Sequence, residues 1–227
     1  AEEEQRCAMD KYAKLEAITA DFVHSHGMCV LITEIVTASH LALPYLALLQ
    51  CIAEHYSAEL CWAGVPLLLF PFLSTTCWEL EEMRLASLGV IGALVKAHDS
   101  AVTSFLLNTE IVPLCLHIME IGSERSKTAA MFIVQTLLLD EQGLIFVCQT
   151  PERFYAVAAA LEKMVHLLAE YPSIGLLRSV VCCYLRLCDN CTAKEILRRT
   201  LPTTILCRLP MTPDTLHQLQ TLLQTLQ

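Results

Sequence analysis

Residues 84–140 constrain the fold most, because their apolar side chains recur at helical spacing. Leu85, Leu88, Ile91 and Leu94 follow one another at three-residue steps. Steps of three and four residues are typical of the buried face of an amphipathic helix. The whole run is therefore predicted to contain helices only.

Capping residues divide the rest of this run into three helices. Asp99 is predicted to cap a short apolar helix over residues 102–107. A second helix covers Ile111–Ile121, and Ser123 opens a third helix that ends near Asp140. The run thus predicts a short, a medium and a long helix in succession.

The same unit recurs on both sides of that run. Each long helix ends in an apolar run, then Asp, then a new short helix, as in IGALVKAHDS, VQTLLLDEQG and CYLRLCDNCT. A recurrence of roughly 40–50 residues is the period of armadillo or HEAT units. We therefore predict an all-α armadillo-repeat solenoid of stacked three-helix units, with an irregular helical bundle as the alternative on spacing alone.

The remaining predicted helices follow the same reasoning. They cover residues 21–38, 44–56, 57–63, 66–73, 79–96, 141–149, 151–170, 173–188, 191–200 and 212–227. Residues 1–20 are predicted to form a frayed cap or a partial repeat, and a proline-marked stretch through Pro202 and Pro210 joins the last two helices. We expect residues 1–227 to form a single armadillo-repeat domain.

Four segments carry a resemblance to a known family: SLGVIGALVK, LLNTEIVPLCLHIMEIGSERSKT, FVCQTPERF and CCYLRLCDN. They resemble the armadillo-repeat subunit of the Ccr-Not mRNA deadenylase complex, the Rcd or "required for cell differentiation" family. The resemblance covers residues 26–201 and is strongest over residues 46–190. It implies a non-catalytic adaptor that docks on the large scaffold subunit. It also implies binding of short linear motifs from RNA-regulatory proteins, which promotes mRNA decay and translational repression.

Composition agrees with densely packed helices. The chain is 55% apolar and 17% charged, with 7 glycines, whereas a disordered adaptor would need low hydrophobicity. No apolar run reaches the roughly eighteen residues of a membrane span, and we expect a soluble chain of the cytoplasm and also the nucleus. The net charge of −9 disfavours a generic nucleic-acid binder.

The 12 cysteines lie mostly at apolar helical positions, where they are interpreted as small buried hydrophobes of an intracellular chain. The positions in apolar helical stretches are Cys51, Cys115, Cys148, Cys182 and Cys183.

Cys188 and Cys191, preceded by Cys182 and Cys183, form the best candidate metal site. A structural zinc needs four converging ligands, but the first pair would point elsewhere from the same helix. We therefore favour a plain helix end and predict no metal.

No catalytic motif is present in the sequence. It contains no glycine-rich phosphate loop, no G-x-S-x-G and no H-E-x-x-H. Glu79, Glu81 and Glu82 are interpreted as the solvated first turn of a helix, where the dipole favours carboxylates. We predict neither enzyme activity nor a cofactor.

Small side chains on the long helices predict shallow pockets on the concave face, suited to a peptide. By the resemblance, the peptide groove corresponds to Met83, Ala86, Gly89, Thr128 and Ala129. The family has an aromatic residue where Met83 stands, so a different peptide preference is expected. The alternative for Ala86 and Gly89 is that they only permit close helix packing.

The resemblance also places a tryptophan-pocket region in the segment QTPERFYA. Arg153 is kept there, whereas Pro151 replaces a tyrosine and Ala156 a histidine. Loss of these flat walls predicts a weaker contact with an indole, by about 1 kcal/mol each.

The rival function is direct nucleic-acid binding along a basic concave groove. Its candidate residues are Arg84, Lys127, Arg153, Arg178 and Arg186. Such binding should weaken steeply with salt, whereas apolar peptide docking should barely respond. The sequence leaves open a homodimer and the identity of the regulators.

Overall fold

The computed structural model describes residues 42–227. The predicted cap over residues 1–20 and the predicted helix over residues 21–38 lie outside the described residues. All regular elements within residues 42–227 are helical. In chain order they are α1 (Ala42–Ala53), α2 (Ser57–Trp62), α3 (Val65–Ser74), the 3-10 turn Trp78–Leu80, α4 (Glu81–Lys96), α5 (Ser100–Leu107), α6 (Ile111–Ile121), α7 (Glu124–Leu139), α8 (Glu141–Cys148), α9 (Pro151–Glu170), α10 (Ile174–Leu187), α11 (Cys191–Thr200), α12 (Thr203–Leu206) and α13 (Pro213–Thr225).

The helices stack in successive layers, as the repeat pattern predicts. The third helices of the units, α1, α4, α7, α10 and α13, each contact the next and form one continuous ladder. The second helices α3, α6, α9 and α12 form a parallel row, and the short helices α2, α5 and α8 form another. This regular stacking is a helical solenoid rather than an irregular bundle.

The recurring Asp at the end of each long helix has a capping function. The carboxylates of Asp99 and Asp140 each accept a hydrogen bond from the backbone N–H two residues ahead, at 2.7 and 2.8 Å. In the third copy the cap is Asn190, because Asp189 instead forms an ion pair with Arg186 at 2.7 Å. Each cap satisfies N–H groups that a helix start leaves unpaired and so turns the chain into the next unit.

The described helices share one apolar core between the layers. Leu88, Ile91 and Leu94 of α4 are buried in it, as their spacing predicts. Leu85 is only half-buried, because it lies on the edge of α4 that faces an open surface.

Several helix bounds differ from the prediction by up to three residues. The largest shift is at α1, which was predicted over residues 44–56 and covers Ala42–Ala53. Two further differences change an element. The long helix predicted from residue 79 begins at Glu81, after the separate 3-10 turn Trp78–Leu80. The connection marked by Pro202 contains α12, because the Pro202 carbonyl accepts a hydrogen bond from the Leu206 N–H at 3.1 Å. The fixed φ of proline is compatible with a helix start.

Within residues 42–227 no single helix has both the length and the apolar character to cross a membrane. Two pairs of consecutive helices reach that length and apolar character only when the two helices are taken together. The helices α5 and α6 meet at a bend of 72°, and α7 and α8 meet at a bend of 97°.

Candidate peptide-binding trough

The third helices α1, α4 and α7 enclose an open depression with a volume of about 930 Å³, here called the trough. Its lining residues are Leu43, Gln50, Glu82, Leu85, Ala86, Gly89, Glu124, Arg125, Thr128, Ala129 and Phe132.

Four of the five predicted groove residues, Ala86, Gly89, Thr128 and Ala129, come together in the trough. The fifth, Met83, packs against the apolar core instead. Successive residues of a helix are rotated by about 100°. Met83 is thereby turned away from the open face that Glu82 and Ala86 share.

Gly89 forms part of the open floor of the trough. A Cβ atom added there would lie 2.7 Å from the Gln50 side-chain Oε1, and the nearest neighbours are all atoms of that one side chain. Gln50 is exposed, so its amide end can move aside. Close backbone packing therefore does not require a glycine at this position.

Phe132 provides an aromatic wall that the sequence reasoning missed. Phe132 is 42% exposed, although an aromatic side chain in an apolar helical run is expected to be buried. Gly92 leaves room beside it, since an added Cβ would stand 3.8 Å from the ring. A signal was available, because Phe132 follows Thr128 by four residues and Ala129 by three, which places all three on one helix face.

The end of the trough at the first turns of α4 and α7 is charged. Glu82 pairs with Arg125 across α4 and α7 at 3.2 Å, and both side chains are mainly exposed. Glu81 accepts a hydrogen bond from the Ser123 N–H at 3.0 Å and pairs with Arg84. Glu81 is therefore not the solvated side chain that the sequence predicts, because it joins two consecutive units.

These contacts hold Glu81 ionised. Partial burial acts to raise the pKa of its carboxyl. Hydrogen bonds from Ser123 and the charge of Arg84 outweigh that effect and hold the pKa below its usual value of 4.5.

The structure does not bring the five predicted cations together as one free basic surface. Arg84 is 3% exposed, pairs with Glu81 and donates to the Thr75 carbonyl. Arg186 pairs with Glu141 at 2.8 Å and donates to the Leu138 carbonyl.

The other three cations lie on different helices. Lys127 is half-buried on α7, and Arg178 is exposed on α10. Arg153 belongs to α9, in the row of second helices. The charges of Arg84 and Arg186 are thus already compensated by carboxylates, which the sequence reasoning did not foresee.

The predicted tryptophan-pocket residues Pro151, Arg153 and Ala156 are all exposed at the start of α9. The Arg153 guanidinium lies 3.8 Å from the ring centroid of Phe146 and donates to Gln149 at 3.2 Å. A neighbouring cavity of about 190 Å³ is lined by other residues of α9, α10, α11 and the segment after α11. The three predicted residues do not line that cavity.

The described cysteines are all free. Cys115 and Cys183 are buried as predicted, and Cys148 and Cys182 are partly buried. Burial raises the pKa of the Cys115 thiol to about 12. Cys51, in contrast, is exposed on α1, on the face opposite the core, so its interpretation as a buried hydrophobe is wrong.

Cys188 and Cys191 do not meet Cys182 and Cys183 as ligands. Cys188 is buried at the end of α10 and Cys191 is exposed at the start of α11. Across residues 42–227 there is no group of three or more His, Cys, Asp or Glu side chains that could hold a metal ion.

Comparison with known proteins then decides the family. The family model described as "Cell differentiation family, Rcd1-like" matches residues 15–226. The chain belongs to this family. The Rcd1-like family is armadillo-like, and its members are non-catalytic subunits of the Ccr-Not complex. The Rcd1-like chain therefore has the predicted fold class and is not an enzyme.

Two curated relatives are similar to this Rcd1-like chain. "Cell differentiation protein rcd1" of Schizosaccharomyces pombe is 49% identical over 197 residues, which is 79% of the chain and 70% of the relative. "Protein CAF40" of Saccharomyces cerevisiae is 51% identical over 165 residues, which is 70% of the chain. The chain spans 44% of the length of that second relative.

Proposed function

We propose that this chain is an adaptor subunit of a Ccr-Not deadenylase complex. In this proposal it docks on the large scaffold subunit and binds short linear motifs of RNA-regulatory proteins in the trough. Recruitment of those regulators then promotes mRNA decay and translational repression, in the cytoplasm and also in the nucleus. Membership of the Rcd1-like family supports the complex, and the trough supports the motif binding.

The observation that carries the proposal is the apolar floor of the trough. Residues 124–132 of α7 lie along it, a length of about 12 Å, which matches roughly two turns of a bound helix. Ala86, Gly89 and Ala129 leave room for larger side chains of a ligand. An amphipathic helix binds such a surface by laying its apolar face into it.

Two substitutions test the trough. We expect Gly89→Trp to fill it and Ala129→Glu to place a charge in it, so that either reduces the binding of regulator peptides by about 100-fold. Both sites line the open trough, and at Gly89 only the exposed Gln50 side chain must move aside. The helical circular dichroism should therefore be unchanged. The measurement is peptide affinity by fluorescence anisotropy.

The chain provides matched controls for both changes. Gly175→Trp adds the same side chain on α10, where an added Cβ has no neighbour within 4 Å. Ala169→Glu adds the same charge at an exposed position of α9. Both controls should bind peptides as the unchanged chain does. Equal effects of the control and trough variants would show that the trough is not the binding site.

Co-purification tests the assembly. The tagged chain should recover deadenylase and scaffold subunits from native extract, and so should Gly89→Trp, because we place the scaffold contact outside the trough. Absence of these subunits from the unchanged chain's eluate would contradict the adaptor role. Loss of the scaffold from Gly89→Trp alone would place the scaffold contact in the trough.

A further inference from the structure

The trough is unevenly charged along its length. The first turns of α4 and α7 contribute Glu82, Glu124 and Arg125 to it, whereas Ala129 and Phe132 lie further along α7. From residue 124 to residue 132 the helix rises by about 12 Å. The trough therefore has a charged end and an apolar end, separated by two helical turns.

The charged end carries one uncompensated negative charge. Glu82 and Arg125 neutralise each other at 3.2 Å, and Glu81 pairs with the buried Arg84. Glu124 is exposed and forms no ion pair with any residue of the described part of the chain. The dipole of α7 places about half a positive elementary charge at its first turn, which is less than the full negative charge of the Glu124 carboxylate. The electrostatic potential near Glu124 therefore stays negative.

The apolar end offers contacts of a different kind. The Phe132 ring presents an exposed face beside Ala129 and Gly89. The Gln50 amide lies beside Gly89, and it forms no hydrogen bond with any residue of the described part of the chain. A ligand can displace this flexible amide or hydrogen-bond to it while its own apolar side chains cover the ring.

We infer that the trough binds an amphipathic helical peptide with a Lys or Arg side chain at Glu124 and an apolar face over Ala129 and Phe132. This inference rests on the proposed function and adds the charge of the ligand and the positions of its basic and apolar parts along the trough. The basic side chain lies about two turns from the residues that cover Phe132, because the two ends of the trough are that far apart.

A displayed library of random peptides of about 16 residues, roughly 24 Å of helix, is a suitable probe. The full chain serves as the target, and the Gly89→Trp variant removes peptides that bind elsewhere. We expect the retained peptides to share apolar residues at helical spacing, with Lys or Arg near one end. Selection on Glu124→Lys should instead enrich Asp or Glu at that end.

A charge exchange with one synthesised peptide makes the test quantitative. Glu124→Lys should weaken its binding by about three- to tenfold, and replacing the basic residue of the peptide with Glu should recover most of that loss on the variant. Glu170→Lys is the matched control, because Glu170 is exposed on α9 outside the trough and the change in net charge is the same. The control should bind within about twofold of the unchanged chain.

The outcomes separate this inference from the proposed function. Trough-dependent peptides without a basic residue, or equal effects of Glu124→Lys and Glu170→Lys, would overturn the inferred ligand and leave the trough as a binding site. If every retained peptide binds Gly89→Trp with the same affinity as the unchanged chain, both the inferred ligand and the proposed role of the trough are overturned.

Discussion

Gly89 and Gly143 both stand within helices, but their surroundings differ. A Cβ at Gly89 would meet only the movable end of Gln50, at 2.7 Å. A Cβ at Gly143 would lie deep inside contact distance of the Leu137 backbone carbonyl. At Gly89 only a movable side chain limits the space, whereas Gly143 lets α8 turn back against the end of α7. The same residue type has different roles because the neighbour is a side chain in one case and backbone in the other.

The largest effect is expected from Gly143→Ala. Neither the carbonyl of Leu137 nor α8 can move without disturbing the junction, so the free energy of unfolding should fall by about 3 kcal/mol. Urea denaturation measures it. The control Gly175→Ala has no neighbour within 4 Å and should raise the free energy of unfolding by up to about 1 kcal/mol. A Gly143→Ala variant as stable as the control would disprove the close backbone contact.

Arg84 and Arg186, both on third helices, allow the same comparison for ion pairs. Arg84 is 3% exposed, and its removal would leave Glu81 and the Thr75 carbonyl without that partner. We expect Arg84→Met to lower the free energy of unfolding by about 2 kcal/mol. Arg186→Met should cost about 1 kcal/mol, because its partners Glu141 and Asp189 are mainly exposed to water. Thermal and urea denaturation of both variants measure these losses. A larger loss for Arg186→Met than for Arg84→Met would contradict the greater contribution of the buried Arg84.

Gly89→Ala should change the free energy of unfolding by less than about 1 kcal/mol, because displacement of Gln50 offsets the better helix propensity of alanine. In a Gln50→Ala background the same change should become stabilising by about 0.5–1 kcal/mol. A double-mutant cycle measures this difference. A large loss in both backgrounds would mean that backbone, not Gln50, limits the space at Gly89.

The smallest effect is a pH dependence of the junction at Glu81. Its carboxyl has a pKa lowered below 4.5 in the folded chain. Its contribution to stability is therefore present above the unfolded pKa and is lost as pH falls through the folded value. The stability advantage of the unchanged chain over Glu81→Gln should shrink steadily below about pH 4.5. An advantage that stays constant down to pH 3 would contradict the ionised pair.

Local sequence predicted much of this architecture and part of the trough. The caps at Asp99 and Asp140 and the bounds of α6, α9 and α11 follow from residues within one or two helical turns. Partners distant in sequence were not predictable in this way. Arg186 was assigned to a basic surface because Glu141, 45 residues earlier, is not visible as its partner in a local pattern.

The sequence by itself determined the helices, their repeat and the presence of small residues on the long helices, because i to i+4 hydrogen bonds, caps and apolar periodicity are local properties. Only the tertiary structure decided that Gly89 lines the trough under the Gln50 side chain, that Phe132 forms a wall and that Glu124 has no ion-pair partner among residues 42–227. Those outcomes depend on distances between residues of neighbouring units, tens of positions apart in sequence. The stacking of the third helices sets these distances.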